Sequence, residues 1–248
     1  MVLVVHGDSA IPLMAGGVTP RAVTLDVGTP AGFGSMISGG LASTDFGMAL
    51  GGGVSLDSDA HAELLIGAPK SGKGVVYVVK GAPGAGPTTI PLADPRVIKI
   101  TGATSNVSFG DHVAFVGDMD GDKSPEFAVA DSGFNAAAGE VYVFNLKGAT
   151  PPATPAAAVI TVGNNVAGPA GDSFGVSIAA GDMASLKGAD INGDGRADLV
   201  VGASGAGTNN NGAVYVFYGQ TTLTNLGTAQ ADFVFPAPTG AVTFCCQP

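Results

Sequence analysis

Three short stretches hold residues whose types and spacing could do chemistry. In "DINGDGRAD", Asp190, Asn192, Asp194 and Asp198 occupy positions 1, 3, 5 and 9, with Arg196 at position 7. The stretch at 118–126 repeats the pattern with Asp118, Asp120, Asp122 and Glu126, and Ser124 stands at position 7. The stretch at 55–63 gives Ser55, Asp57, Asp59 and Glu63, with His61 at position 7. Alternate residues of a tight loop can turn their oxygens inward. A ring of hard carboxylate and amide oxygens is what calcium requires, with six to eight ligands at about 2.3–2.6 Å.

Gly121, Gly193 and Gly195 permit the positive φ angles that such wrapping needs. Position 7 would contribute its backbone carbonyl, from His61, Ser124 and Arg196. Up to three calcium sites are therefore expected, the Ser55 site weakest because serine replaces an acid. One Asp-Gly loop would be an ordinary turn; three at matched places argue for the metal. An EF-hand does not fit, because it needs Glu at position 12 between helices, and Val129 or Val201 stands there.

The elements that would position these loops are legible as an internal repeat. Three segments align from Phe46, Phe109 and Phe174, 63 and 65 residues apart. Each runs from Phe-Gly through the acidic loop, a short apolar strand and a Gly-rich turn to a second strand holding Tyr77, Tyr142 or Tyr215. "RVIKITG" (96–102) and "AVITVG" (158–163) supply a further strand between units. Strands apolar on both faces fit sheets sandwiched between neighbours. Four antiparallel strands in sixty-odd residues predict an all-β chain, a β-propeller of four-stranded blades.

The whole chain, 1–248, reads as one such unit: a partial blade over 1–45, blades over about 46–102, 109–163 and 174–236, and a remnant over 237–248. "MVLVVHG" and "RAVTLDVG" supply the third and fourth strands of the partial blade. About three and a half blades are too few to close a ring, which takes about four to eight. A second copy of the chain is one way to complete it.

Composition removes several classes. The chain carries 40 glycines and a net charge of −10, with 10 scattered basic residues, which argues against a nucleic-acid partner. Ten of its 20 acidic residues fall in the three windows above, where they repel one another unless a cation sits among them. No apolar run is long enough for a membrane span. No standard signal peptide is visible, since no basic residue precedes Arg21. Cys245 and Cys246 are adjacent and suit free thiols or an intermolecular bridge.

Phe-Gly, then D-x-[DN]-G-D-x-x-x-[DE], then "LLIGAP" or "LVVGAS", resembles the FG-GAP repeat of integrin α-subunit propellers and related bacterial proteins. The resemblance covers most of 46–219. It implies a calcium-stabilised propeller, the metal loops joining the first and second strands of each blade. It also implies a binding or adhesion module at the cell surface or outside the cell, recognising a protein or glycan through the loops of the opposite face. Three departures stand out. Only the first repeat keeps Gly-Ala-Pro (Gly67 to Pro69), the third inserts "DMASLKGA", and the blades fall short of the family's usual seven.

An enzymatic reading, such as a glycan hydrolase or lyase in a central channel, needs a convergent pair of acids outside the metal loops. Asp131 is the candidate, without an evident partner. A purely structural half-ring is the third reading. "GAPKSGKG" (67–74) nearly spells a phosphate-binding loop, but Gly74 replaces the Ser/Thr and a strand follows instead of a helix. "HGDSA" at 6–10 lacks the later partners of an esterase. His6, His61 and His112 sit at unrelated repeat positions and form no zinc pattern. No catalytic residue is expected.

Overall fold

The computed structural model describes residues 2–5, 34–38, 44–59, 61–82, 89–103, 107–147, 151–163, 171–179, 190–207 and 209–238. The expected strand at 21–28, the inserted stretch at 182–189, His6 and the terminal cysteines lie outside them.

The three repeats are three antiparallel blades of four strands. The first holds Leu50–Gly52, Leu64–Ala68, Val75–Val79 and Val97–Thr101. The second holds His112–Gly117, Glu126–Asp131, Glu140–Phe144 and Ile160–Gly163. The third holds Phe174–Ala179, Leu199–Ala203, Ala213–Phe217 and Phe233–Pro236. Before them, Val2–Val5 pairs antiparallel with Gly34–Ser38.

Strand alternation distributes the core. In the second blade Phe127, Val129, Tyr142 and Phe144 point toward the first blade and join Leu65, Val76, Val78 and Ile100 in one buried cluster. Their alternates Ala128, Ala130, Val141 and Val143 point the other way and meet Leu199, Val201 and Phe217 of the third blade. Both faces of the second blade are thus interior, which is why its strands read as apolar runs rather than alternating ones.

Phe-Gly has a clear part in this. Phe46, Phe109 and Phe174 each meet the tyrosine of their own blade's third strand edge-on, with ring centroids 5.6, 5.6 and 5.5 Å apart. The glycine that follows ties strand one to strand two: Gly47 N–H donates to the Gly67 carbonyl at 2.8 Å, and Gly110 N–H to that of Ala130 at 2.8 Å. The Phe backbone also meets the preceding blade. A Cβ on Gly74 would stand 2.1 Å from the Phe109 carbonyl oxygen, and one on Gly139 2.1 Å from that of Phe174. Both glycines have positive φ, so close approach and backbone geometry together demand glycine there.

Gly34–Ser38, which pairs with Val2–Val5 where the sequence pointed to 21–28, was not evident in the sequence, and neither were two shorter strands. Thr89–Pro91, between the third and fourth strands of the first blade, pairs in parallel with Gly34–Ser38 of the sheet before it. Leu226–Gly227, in the same place of the third blade, pairs in parallel with Ile160–Gly163 of the second. The second blade reaches back likewise through one bond, from Thr101 N–H to the Ala153 carbonyl at 2.9 Å. Each blade therefore clasps the outer edge of its predecessor, covering an edge that would otherwise be open to pairing.

Candidate metal centre

The three acidic loops all join the first strand of a blade to its second, so they lie at one end of the array. Their internal bonding repeats. In the second loop Asp118 Oδ1 accepts from Gly121 N–H (2.8 Å) and Asp122 N–H (3.0 Å), and Oδ2 from Lys123 N–H (2.8 Å). Asp190 in the third loop accepts from Gly193 and Gly195 at 2.8 and 3.0 Å. Positions 3 and 5 each accept the N–H two residues on: Asp59 into Asp57, Asp122 into Asp120, Asp194 into Asn192, and likewise His61, Ser124 and Arg196. Position 4 is left-handed throughout, as Ser58 (φ 64°), Gly121 (79°) and Gly193 (79°). One loop geometry is built three times.

Position 9 is the buried end of each loop. Glu63, Glu126 and Asp198 are all at most 1 % exposed. Each accepts the backbone N–H of position 2: Leu56 at 2.5 Å, Met119 at 2.9 Å and Ile191 at 2.7 Å. Glu63 and Asp198 use their second oxygen on Gly81 N–H (3.4 Å) and Gly219 N–H (2.9 Å), in the linkers leaving the third strands. The Oε1 of Glu126, by contrast, has no hydrogen-bond partner of good geometry among the described residues, and neither has the Oγ of Ser55. Burial first, and then the charges of Asp120 and Asp118, outweigh the Met119 N–H and the nearby Asn145 side chain and push Glu126 up to about 8. Glu63 is raised for the same reasons, burial foremost, with Asp57 and Asp59 adding to it.

Carboxylate oxygens gather within 4.8 Å of one another in two of the loops, Asp57, Asp59 and Glu63 in the first and Asp118, Asp120 and Glu126 in the second. In the third loop Asn192 stands where the second loop has Asp120, so an amide takes the place of one carboxylate. Asp190, Asn192 and Asp194 are spread over an exposed turn, and the Arg196 guanidinium lies 2.7 Å from Asp194 Oδ2 and bonds the Gly219 carbonyl. Asp194 is held below the usual carboxylate range, first by the Arg196 N–H. The donor sets of the first two loops suit a hard divalent cation: all oxygen, clustered, and in the second loop with a buried carboxylate oxygen that has no hydrogen-bond partner of good geometry among the described residues. Asp57, Asp59 and Glu63, and Asp118, Asp120 and Glu126, would hold it there, with Ser55, Asp122 and the His61 and Ser124 carbonyls at hand. Such an ion would cancel the acid clusters and tie the first two strands of each blade together.

At the other end, Asp131 is fully buried and accepts from Val107 N–H (3.1 Å) and Ser108 N–H (2.9 Å). It does have an acidic neighbour, contrary to the expectation from sequence: Glu140 is its cross-strand partner. Glu140 accepts the Tyr142 hydroxyl at 2.6 Å and is raised by burial and then by Asp131. The matching pairs are Ala68 with Val75 and Ala203 with Ala213. Sequence reading missed this because a strand-end Glu resembles any surface acid until the register is known. Both carboxyls are buried, Asp131 fully and Glu140 to within 4 % exposure.

Sheet architecture and acidic loops together define an all-β array of propeller-type blades. Residues 184–217, which span the third blade's acidic loop and its second and third strands, match the FG-GAP repeat family. No curated protein matches the chain. No helix among the described residues is long and apolar enough to cross a membrane.

Proposed function

We propose that this chain is a calcium-stabilised β-propeller module of integrin-α-like type, acting outside the cell or at its surface, which binds a protein or glycan through the loops opposite the metal end. The observation that carries the metal assignment is the second loop, where three carboxylates converge and the buried Glu126 keeps an unpartnered oxygen. Support for the opposite face comes from backbone strain. Asn135, Ala136 and Ala137 hold φ of 48°, 57° and 63° in a row, and Asn209 and Asn210 hold 67° and 54°. Non-glycine residues keep such angles where surrounding structure imposes them, often at binding loops. The test is binding of calcium-loaded protein to arrayed glycans and immobilised matrix proteins. Loss of a captured ligand on replacing 134–137 by a short Gly-Ser turn supports the reading; unchanged capture contradicts it.

A specific observation favours ring completion by a second copy. Phe233 and Phe235 lie on the face of the third blade that the first two blades cover with their successors, and both are 52 % exposed. Light scattering reads this directly, as a dimer that Phe233→Ser and Phe235→Ser dissociate. A monomer with these residues intact rules it out.

A further inference from the structure

The acidic loops do not stand alone: each has a basic side chain of its own chain laid onto the acids that would bind metal. In the first loop Lys80 Nζ lies 2.9 Å from Asp57 Oδ2, at position 3. In the second, Lys147 Nζ contacts Asp122 Oδ2 at position 5 and lies 3.6 Å from Asp120 Oδ2 at position 3. In the third, Arg196 takes Asp194 at position 5. These cations arrive by different routes. Lys80 and Lys147 come from the linker after the third strand, three and five residues beyond the tyrosine, whereas Arg196 sits inside its loop. Only 10 basic residues serve the whole chain, so chance placement of one on every loop is a poor explanation.

The consequence is electrostatic. Clustered carboxylates without metal repel one another, and an ammonium among them relieves that repulsion at the place where a divalent ion would otherwise act.

We propose that Lys80 and Lys147 are tethered competitors of the metal, standing on Asp57 and on Asp120 and Asp122 in the metal-free loops and displaced from them when calcium binds. They hold the metal-free blades together and lower calcium affinity, so the loops respond over a higher range of calcium concentration than their acid count implies. This rests on the reading of the loops as calcium sites.

The experiment titrates calcium chloride into the chelator-stripped full chain by calorimetry, comparing the parent with Lys80→Met/Lys147→Met and with Lys80→Arg/Lys147→Arg. Unfolding temperature is followed with and without calcium. The methionine variant is expected to bind calcium roughly threefold to tenfold more tightly. Its metal-free unfolding temperature falls while the calcium-loaded one holds, so the calcium-induced shift widens. The arginine variant stays close to the parent. Equal affinity in parent and methionine variant, with both unfolding temperatures lowered alike, makes the lysines mere packing and overturns the proposal while the metal assignment stands. No calcium binding by any of the proteins overturns both.

Discussion

Replacing Glu126 by glutamine separates two roles that its position allows, a buried staple and a metal ligand. Glutamine keeps an oxygen for the Met119 N–H, so the staple survives; what it loses is the charge. In the metal-free fold Glu126 is pushed up to about 8 from 4.5. A carboxyl raised on folding stabilises fully below its unfolded value and loses that contribution as pH climbs toward the folded one. At about 1.4 kcal/mol per pH unit, the metal-free chain gives up about 3 kcal/mol between pH 4.5 and pH 7 through this group alone. The glutamine variant has no such slope, so with chelator at pH 7 it should gain stability on the parent by about that amount compared with pH 4.5. With calcium the sign reverses, because the parent ionises Glu126 against the cation and the variant cannot. Urea unfolding at both pH values, with chelator and with calcium, measures all four stabilities. A variant weakened equally in chelator and in calcium would refute the reasoning and leave Glu126 a staple only.

Three further outcomes follow from the same geometry. Glu140→Gln should raise stability on the order of 1 kcal/mol at pH 8 and leave it unchanged at pH 4, since Glu140 is raised by burial and by Asp131; urea midpoints at the two pH values check it. Gly74→Ala should cost more than about 2 kcal/mol, because the new Cβ meets the Phe109 carbonyl and φ is +86°; thermal unfolding reads the loss. Ser58→Gly should stabilise by roughly 0.5–1 kcal/mol in denaturant unfolding, as it restores at φ 64° the residue that the other two loops carry there.

The repeat was legible because its signals are local. Phe-Gly, the acidic loop and the tyrosine strand recur at nearly constant spacing, and the blades fall where those signals place them. The loop conformation was equally readable, since Gly121 and Gly193 mark the left-handed fourth position. What escaped was everything set by register or by contact between blades. Thr89–Pro91 and Leu226–Gly227 are two or three residues of strand with no pattern of their own, formed only because a neighbouring edge is near. Glu140 gained meaning only when paired with Asp131. In the third loop Arg196 at the seventh position turns its side chain back onto Asp194, a contact that spacing alone does not reveal.

The central claim is that metal binding and blade stability are one equilibrium. Scanning calorimetry of chelator-stripped protein over a series of calcium concentrations tests it most directly. The account predicts an unfolding temperature that climbs steadily with the logarithm of free calcium once the first sites fill, and that climbs less when Asp118 and Asp120 are changed to alanine. An unfolding temperature indifferent to calcium across the series would contradict it.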